Sequence, residues 1–139
     1  MLQHARQRGF TLIEVIVVIA LVALLMAYVA PNLLGRADDA KRKAAGLQLE
    51  KISSSVELYK LEVGRFPETL NDLVERPSGA NSDNWKGPYL KKKSLLKDPW
   101  GNELNYRQPG EHGAFDLQSY AGDGQAGGEG DNADISSWE

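Results

Sequence analysis

With 139 residues the chain has room for one small domain plus an extension, and too little for two separate cores. Sixteen Lys and Arg against nineteen Asp and Glu leave a net charge of -3, which argues against a general affinity for nucleic acid. There is no cysteine, so disulfides and thiolate metal sites are excluded, and the two histidines, His4 and His112, are too far apart in sequence to suggest a paired-imidazole centre.

Charge is unevenly placed: residues 1–9 carry Arg6 and Arg8 without an acid, whereas Gln108 to Glu139 holds several acids and no Lys or Arg. Between them Val15–Ala30 is free of charge. A helix from Phe10 to Leu34 would be about 37 Å long at 1.5 Å per residue, enough for a hydrocarbon core of roughly 30 Å. Arg6 and Arg8 then hold the N-terminus in the cytoplasm and send the remainder across the membrane, into the periplasm of a Gram-negative cell. A cleaved secretory signal would need small residues after the apolar stretch, and Tyr28-Val29-Ala30-Pro31 fits that poorly.

Glu14 is out of place in this segment. A carboxylate at the centre of a membrane helix costs about 2.5–3.5 kcal/mol on insertion scales, so it needs a partner or access to water. One reading lets Glu14 snorkel to the membrane surface and favour the helix N-terminus. The other gives it a functional partner, and the residue type alone leaves both open.

The octapeptide Arg8-Gly9-Phe10-Thr11-Leu12-Ile13-Glu14-Val15 resembles the class III signal of type IV pilins and type II secretion pseudopilins. The resemblance implies that a prepilin peptidase cuts after Gly9, removing residues 1–9 as a cytoplasmic leader, and N-methylates Phe10. It also implies that Glu14 pairs with the N-terminal amine of a neighbouring subunit's Phe10 during assembly. Pro31 removes a helical hydrogen bond and clashes with the preceding turn. By itself it is compatible with a helix end at the membrane surface, while the resemblance favours a kink or locally melted stretch within one long helix.

Farther on, Ala45, Leu49, Ile52, Val56 and Tyr59 recur at spacings of four and three, which puts them on one helical face suited to a domain core. Lys41-Arg42-Lys43 reads as a solvated cluster, and Val63-Gly64 followed by Pro67 offers a stop, so the helix is expected to run from Phe10 to about Val63. Pro67–Val74 suggests a short helix, and Arg76–Asn84 a loop. Pro88–Lys91, Glu103–Gln108 and Ala114–Tyr120 are extended candidates whose short connections favour antiparallel hairpins. Lys91-Lys92-Lys93 reads as a solvated edge that discourages stray strand pairing.

Tyr59-Lys60-Leu61, Gly64-Arg65-Phe66-Pro67, Gly87-Pro88-Tyr89-Leu90, Asp98-Pro99-Trp100-Gly101-Asn102, Phe115-Asp116-Leu117, and Ala133-Asp134-Ile135 followed by Trp138 are similar to blocks of the major pseudopilins, and span nearly the whole chain. The stretch after Pro67 is shorter than in that family.

Asp123–Asp134 is too rich in glycine and too poor in apolar residues to hold one shape unaided. The carboxylates at relative positions one, nine and twelve, with glycine at six, give a loose match to a calcium loop that lacks acids at three and five. A flexible acidic tail is the other reading, against which Ile135 and Trp138 suggest docking onto the domain. The resemblance implies one Ca2+, with Asp123 and Asp131 as side-chain ligands, the backbone oxygens of Tyr120 and Gln125 next, and Asn132 and Asp134 as further candidates. Asp134 has the alternative of capping the last turn.

The expected fold is therefore α+β: a long N-terminal helix, membrane-spanning over residues 10–34 and amphipathic beyond, packed on a small antiparallel sheet with a C-terminal calcium loop, residues 35–139 forming the periplasmic part. The resemblance implies a single-pass inner-membrane subunit that polymerises into the periplasmic pseudopilus of a type II secretion system, as a homopolymer working with minor pseudopilins, the inner-membrane secretion platform and the prepilin peptidase. A type IV pilin, which commonly closes its C-terminal region with a disulfide, and a minor pseudopilin are the alternatives. A tethered enzyme finds no support in a nucleophile elbow, paired histidines or a phosphate loop.

Overall fold

The computed structural model describes residues 9–79 and 83–139, with the backbone alone at 32–34. The leader expected at residues 1–9 lies outside it except for Gly9, as does part of the loop expected at Arg76–Asn84.

Helix α1 runs Leu12–Val63, 52 residues, with Pro31 inside it. Its residues up to Ala37 belong to one compact unit and those from Asp38 onward to another. From Leu12 to Pro31 the helix is exposed, and α1 is long and apolar enough to cross a membrane. Gly64 ends α1 in the left-handed region at φ +90°, where a side chain is strained, and its N–H donates to Lys60 O at 2.8 Å. The stop expected from Val63-Gly64 is thus found, and helix formation begins two residues later than Phe10.

In the second unit the periodic stripe becomes the core: Ala45, Leu49, Ile52, Val56 and Tyr59 are all buried. The last four meet Leu70, Leu73, Leu90, Leu104 and Leu117. Tyr59 packs edge-on to Tyr89 with ring centroids 5.4 Å apart, and Phe66 against Phe115 at 5.5 Å. Gln48 ties α1 to the short 3-10 helix Lys93–Leu96 through bonds from Nε2 to Leu95 O at 2.6 Å and Lys97 O at 2.7 Å.

The sheet has three antiparallel strands in the order β1-β2-β3: β1 Asn105–Arg107, β2 Asp116–Ser119 and β3 Ile135–Ser136. Tyr106 pairs with Leu117 and Ser119 with Ile135. β2, in the centre, is the most buried strand.

Two of the three extended candidates hold β1 and β2, shortened; Pro88–Lys91 does not form a strand. The amides of Tyr89 and Leu90 both donate to Leu73 O, at 2.7 and 2.9 Å, so this segment is bonded to the end of a 3-10 helix and not to a ladder. The third strand is supplied by Ile135–Ser136, where sequence suggested only docking. The short helix expected at Pro67–Val74 contracts to the 3-10 helix Leu70–Leu73. Lys91-Lys92-Lys93 is exposed as expected, but it borders a 3-10 helix and not a strand edge.

Candidate functional site

At the head of α1 the backbone N–H of Thr11 donates to Glu14 Oε2 at 2.7 Å and its hydroxyl to the same oxygen at 3.0 Å. The Glu14 N–H returns a bond to Thr11 Oγ1 at 3.3 Å. This reciprocal pattern is a capping box, in which residues three apart satisfy each other's orphan groups at a helix start. The carboxylate therefore lies in the first turn, near the positive end of the helix dipole. Thr-x-x-Glu ahead of an apolar run was the available signal; from sequence Glu14 was placed favourably at the helix N-terminus, but its cap with Thr11 was not identified. Around it the surface is apolar: Phe10 is 90% exposed, and Leu12, Ile13, Leu24 and Leu25 are exposed as well.

The C-terminal loop is the second candidate region. Asp123 Oδ1 accepts the N–H of Gln125 at 3.1 Å, and Tyr120 O accepts that of Gly124 at 3.2 Å. Asp131 lies in the 3-10 helix Gly130–Asn132 and is exposed, as is Asn132. Asp134 does not cap a turn: its Oδ2 accepts Gly127 N–H at 2.8 Å and Gln118 Nε2 at 2.9 Å, which fastens the loop to β2. Gly128, at φ +98°, sits so close to Asn132 O that no Cβ would fit.

Beneath the loop lies a buried polar relay. Asp98 Oδ1 accepts the amides of Trp100 and Asn102 at 3.1 and 2.8 Å, and Oδ2 accepts the Ser119 hydroxyl at 2.7 Å. Ser119 Oγ in turn accepts Ala121 N–H at 3.2 Å, and Asn102 Nδ2 donates to Ala121 O at 2.8 Å. Ala121 is held at φ 50°, a conformation that L residues adopt at a cost of about 1–2 kcal/mol.

The run expected to be solvated is not uniformly so. Lys41 and Lys43 are exposed, but Arg42 is half-buried and its Nη1 donates to Asp131 O at 3.1 Å and Ala133 O at 2.7 Å. Nothing in the sequence distinguished it from its two lysine neighbours.

Near the chain's end, His112 stacks flat on Trp138 with centroids 4.1 Å apart, and its Nδ1 lies 3.1 Å from Asp116 Oδ2. Burial would raise the Asp116 carboxyl, but the amides of Glu111 and His112 and the His112 ring together hold it below the ordinary carboxylate range. Burial pushes the Tyr106 phenol up to about 12, and its hydroxyl donates to Pro67 O at 2.9 Å.

The donor chemistry suits calcium. The candidates Asp123, Asp131, Asn132, Asp134 and the carbonyls of Tyr120 and Gln125 offer only oxygen, which suits a hard cation. Asp134 Oδ1 is buried without a hydrogen-bond partner among the described residues, a defect that a cation would remove. No group of three or more His, Cys, Asp or Glu among the described residues is arranged to hold a metal.

An exposed apolar helix with a capped acid at its head, continuing into the core helix of a small antiparallel sheet domain, defines a pilin-like subunit. Residues 32–138 match the family pattern described as type II secretion system (T2SS), protein G, and residues 4–30 match the prokaryotic N-terminal methylation motif. The chain belongs to the type II secretion system protein G family, and it is a structural subunit of the pseudopilus. It is 41% identical over 143 residues to the type II secretion system core protein G of Pseudomonas aeruginosa, covering 99% of each. To that of Vibrio cholerae it is 39% identical over 137 residues, covering 96% of this chain and 92% of the relative. The crystal structure of the major pseudopilin from the type 2 secretion system of enterohaemorrhagic Escherichia coli superposes with a TM-score of 0.63 at 31% identity, over 78% of this chain and 95% of that one. These matches decide between the filament alternatives in favour of the pseudopilin.

Proposed function

We propose that the chain is made as a precursor, cut after Gly9 and methylated at Phe10 by a prepilin peptidase, and that it enters the filament by exchanging one partner of Glu14 for another. The observation that carries this reading is the capped Glu14 at the head of an exposed apolar helix. In the lone subunit Thr11 supplies donors to the carboxylate. On assembly the amine freed at Phe10 of a neighbouring copy takes that place.

An amine and a carboxylate are each costly in lipid, and they attract strongly when adjacent in a low dielectric. Burying them together couples the apolar gain of helix packing to a fixed register between subunits. The subunit acts by polymerising and not by catalysis. Arg6 and Arg8 keep the N-terminus cytoplasmic in the inner membrane and place residues 35–139 in the periplasm. Growth of the fibre from an inner-membrane platform, with minor pseudopilins as partners, drives secreted proteins across the outer membrane.

Ca2+ bound by the loop would supply positive charge to Asp123, Asp131 and Asp134, with Asn132 and the carbonyls of Tyr120 and Gln125 completing an oxygen shell. The chain's own residues hold the loop ready through Asp134, Asn102 and the Asp98 relay.

The test of processing is the intact mass of protein recovered from membranes. Loss of residues 1–9 with gain of one methyl group supports the reading, and a functional protein that retains those residues overturns it.

A further inference from the structure

Arg42 lies in α1, and its guanidinium holds the backbone oxygens of Asp131 and Ala133, residues 89 and 91 positions away. A single nitrogen, Nη1, makes both bonds, at 3.1 and 2.7 Å. The two carbonyls flank Asn132, that of Asp131 lying within the 3-10 helix Gly130–Asn132 and that of Ala133 just after it. No other side chain of α1 is bonded to residues 123–134 among the described residues. This segment is rich in glycine and holds few apolar side chains, so its shape depends on a handful of polar ties.

We propose that Arg42 is a positioning residue for the cation loop: by clamping the carbonyls of residues 131 and 133 it pre-sets the backbone of Asp131 and Asp134 for a divalent cation and makes the loop's order depend on α1. The inference rests on the calcium reading above. It also restricts the ligand set, because the carbonyls of Asp131 and Ala133 are engaged by the guanidinium and the cation is left the side-chain oxygens there.

Two effects of the guanidinium oppose each other. Its positive charge repels a cation, an effect weakened by water at a half-buried site. Its charge-assisted bonds remove the cost of ordering the loop, and such bonds are about twice as strong as neutral ones. Pre-organisation is therefore the larger effect, and loss of Arg42 weakens binding.

The experiment uses the full chain in detergent, titrated with CaCl2 by calorimetry and melted with and without chelator. Arg42→Ala should bind calcium on the order of tenfold more weakly, the equivalent of about 1.4 kcal/mol. Its calcium-induced rise in melting temperature should shrink correspondingly. Arg42→Lys, which keeps the charge on a shorter reach, should recover part of the affinity. Lys43→Ala, an exposed change of equal charge next door, should leave it unchanged.

Amide hydrogen exchange without calcium reads the clamp independently of the ion: residues 123–134 should exchange faster in Arg42→Ala than in wild type. A purely structural role would lower the chelated melting temperature of Arg42→Ala and leave the calcium-induced increment intact, which overturns the proposal. Equal or tighter calcium binding by Arg42→Ala does the same. Wild type that binds no calcium refutes the calcium reading, and with it the cation role of Arg42, even if exchange shows that the clamp holds the loop.

Discussion

Thr11 and Glu14 close the head of α1 on each other, the Thr11 amide and hydroxyl both donating to one carboxylate oxygen. This separates two duties of Glu14 that a single substitution can pull apart. Glu14→Gln keeps an oxygen acceptor for the cap but removes the charge, whereas Glu14→Ala removes both. If the charge is what admits a subunit to the fibre, both variants should be inserted in the membrane at normal levels and neither should form filaments by electron microscopy. Normal filaments from Glu14→Gln would reduce Glu14 to a helix cap.

The stripe on α1 sets a contrast in stability. Leu49 is 1% exposed and Leu58 46% exposed, on the same helix. Leu49→Ala should cost about 3 kcal/mol, through lost burial and the cavity left behind. Leu58→Ala should change stability by less than about 0.5 kcal/mol. Chemical denaturation of the two variants checks the difference.

The stripe was readable from the sequence because a period of 3.6 survives any tertiary context, and Gly64 and the turns around β1 and β2 were readable from their local chemistry. β3 was not: Ile135–Ser136 is two residues long, and it is a strand only because β2 offers it a partner. Pro88–Lys91 looked extended but bends at Tyr89–Lys91, and the amides of Tyr89 and Leu90 bond Leu73 O where a ladder would have needed them. Of the candidate sites, Glu14 was legible as a misplaced charge, and its cap with Thr11 was legible in the spacing. Arg42 was hidden, since only the fold brings residues 42, 131 and 133 together.

Acid should weaken the C-terminal end of the sheet through Asp116. Its carboxyl is held below the ordinary range in the folded chain, against the burial that opposes this, by the amides of Glu111 and His112 and by the His112 ring. A group depressed on folding adds stability above its unfolded value, near pH 4, and loses that contribution as pH falls through the folded value. Melting temperature should therefore drop below about pH 4 in wild type. In Asp116→Asn it should start lower and fall less steeply over the same window. Parallel curves would assign the acid response to other groups.

Two adjacent glycines in the loop test its packing. Gly127 and Gly128 have φ of +95° and +98°, but a Cβ at Gly127 would meet open space and one at Gly128 would strike Asn132 O. Gly127→Ala should cost about 1 kcal/mol of strain. Gly128→Ala adds a backbone clash and should cost more than about 2 kcal/mol. Equal effects in thermal denaturation would mean that the loop does not hold this shape in solution.

Calcium should stabilise the chain. A ligand at a hundredfold excess over its Kd adds about 2.7 kcal/mol to the folded state. For a domain of this size that raises the melting temperature by roughly 10 °C. Identical melting curves with calcium and with chelator would count against the loop as a metal site.

On the proposed pairing, Glu14 of each subunit is neutralised by the Phe10 amine of another copy. Electron cryo-microscopy of filaments from cells overproducing the protein measures this directly. The Glu14 carboxylate is expected within about 3 Å of a neighbouring subunit's Phe10 nitrogen, a charge-assisted hydrogen bond. Filaments in which Glu14 contacts only its own Thr11, or in which residues 1–9 are still attached, would contradict it.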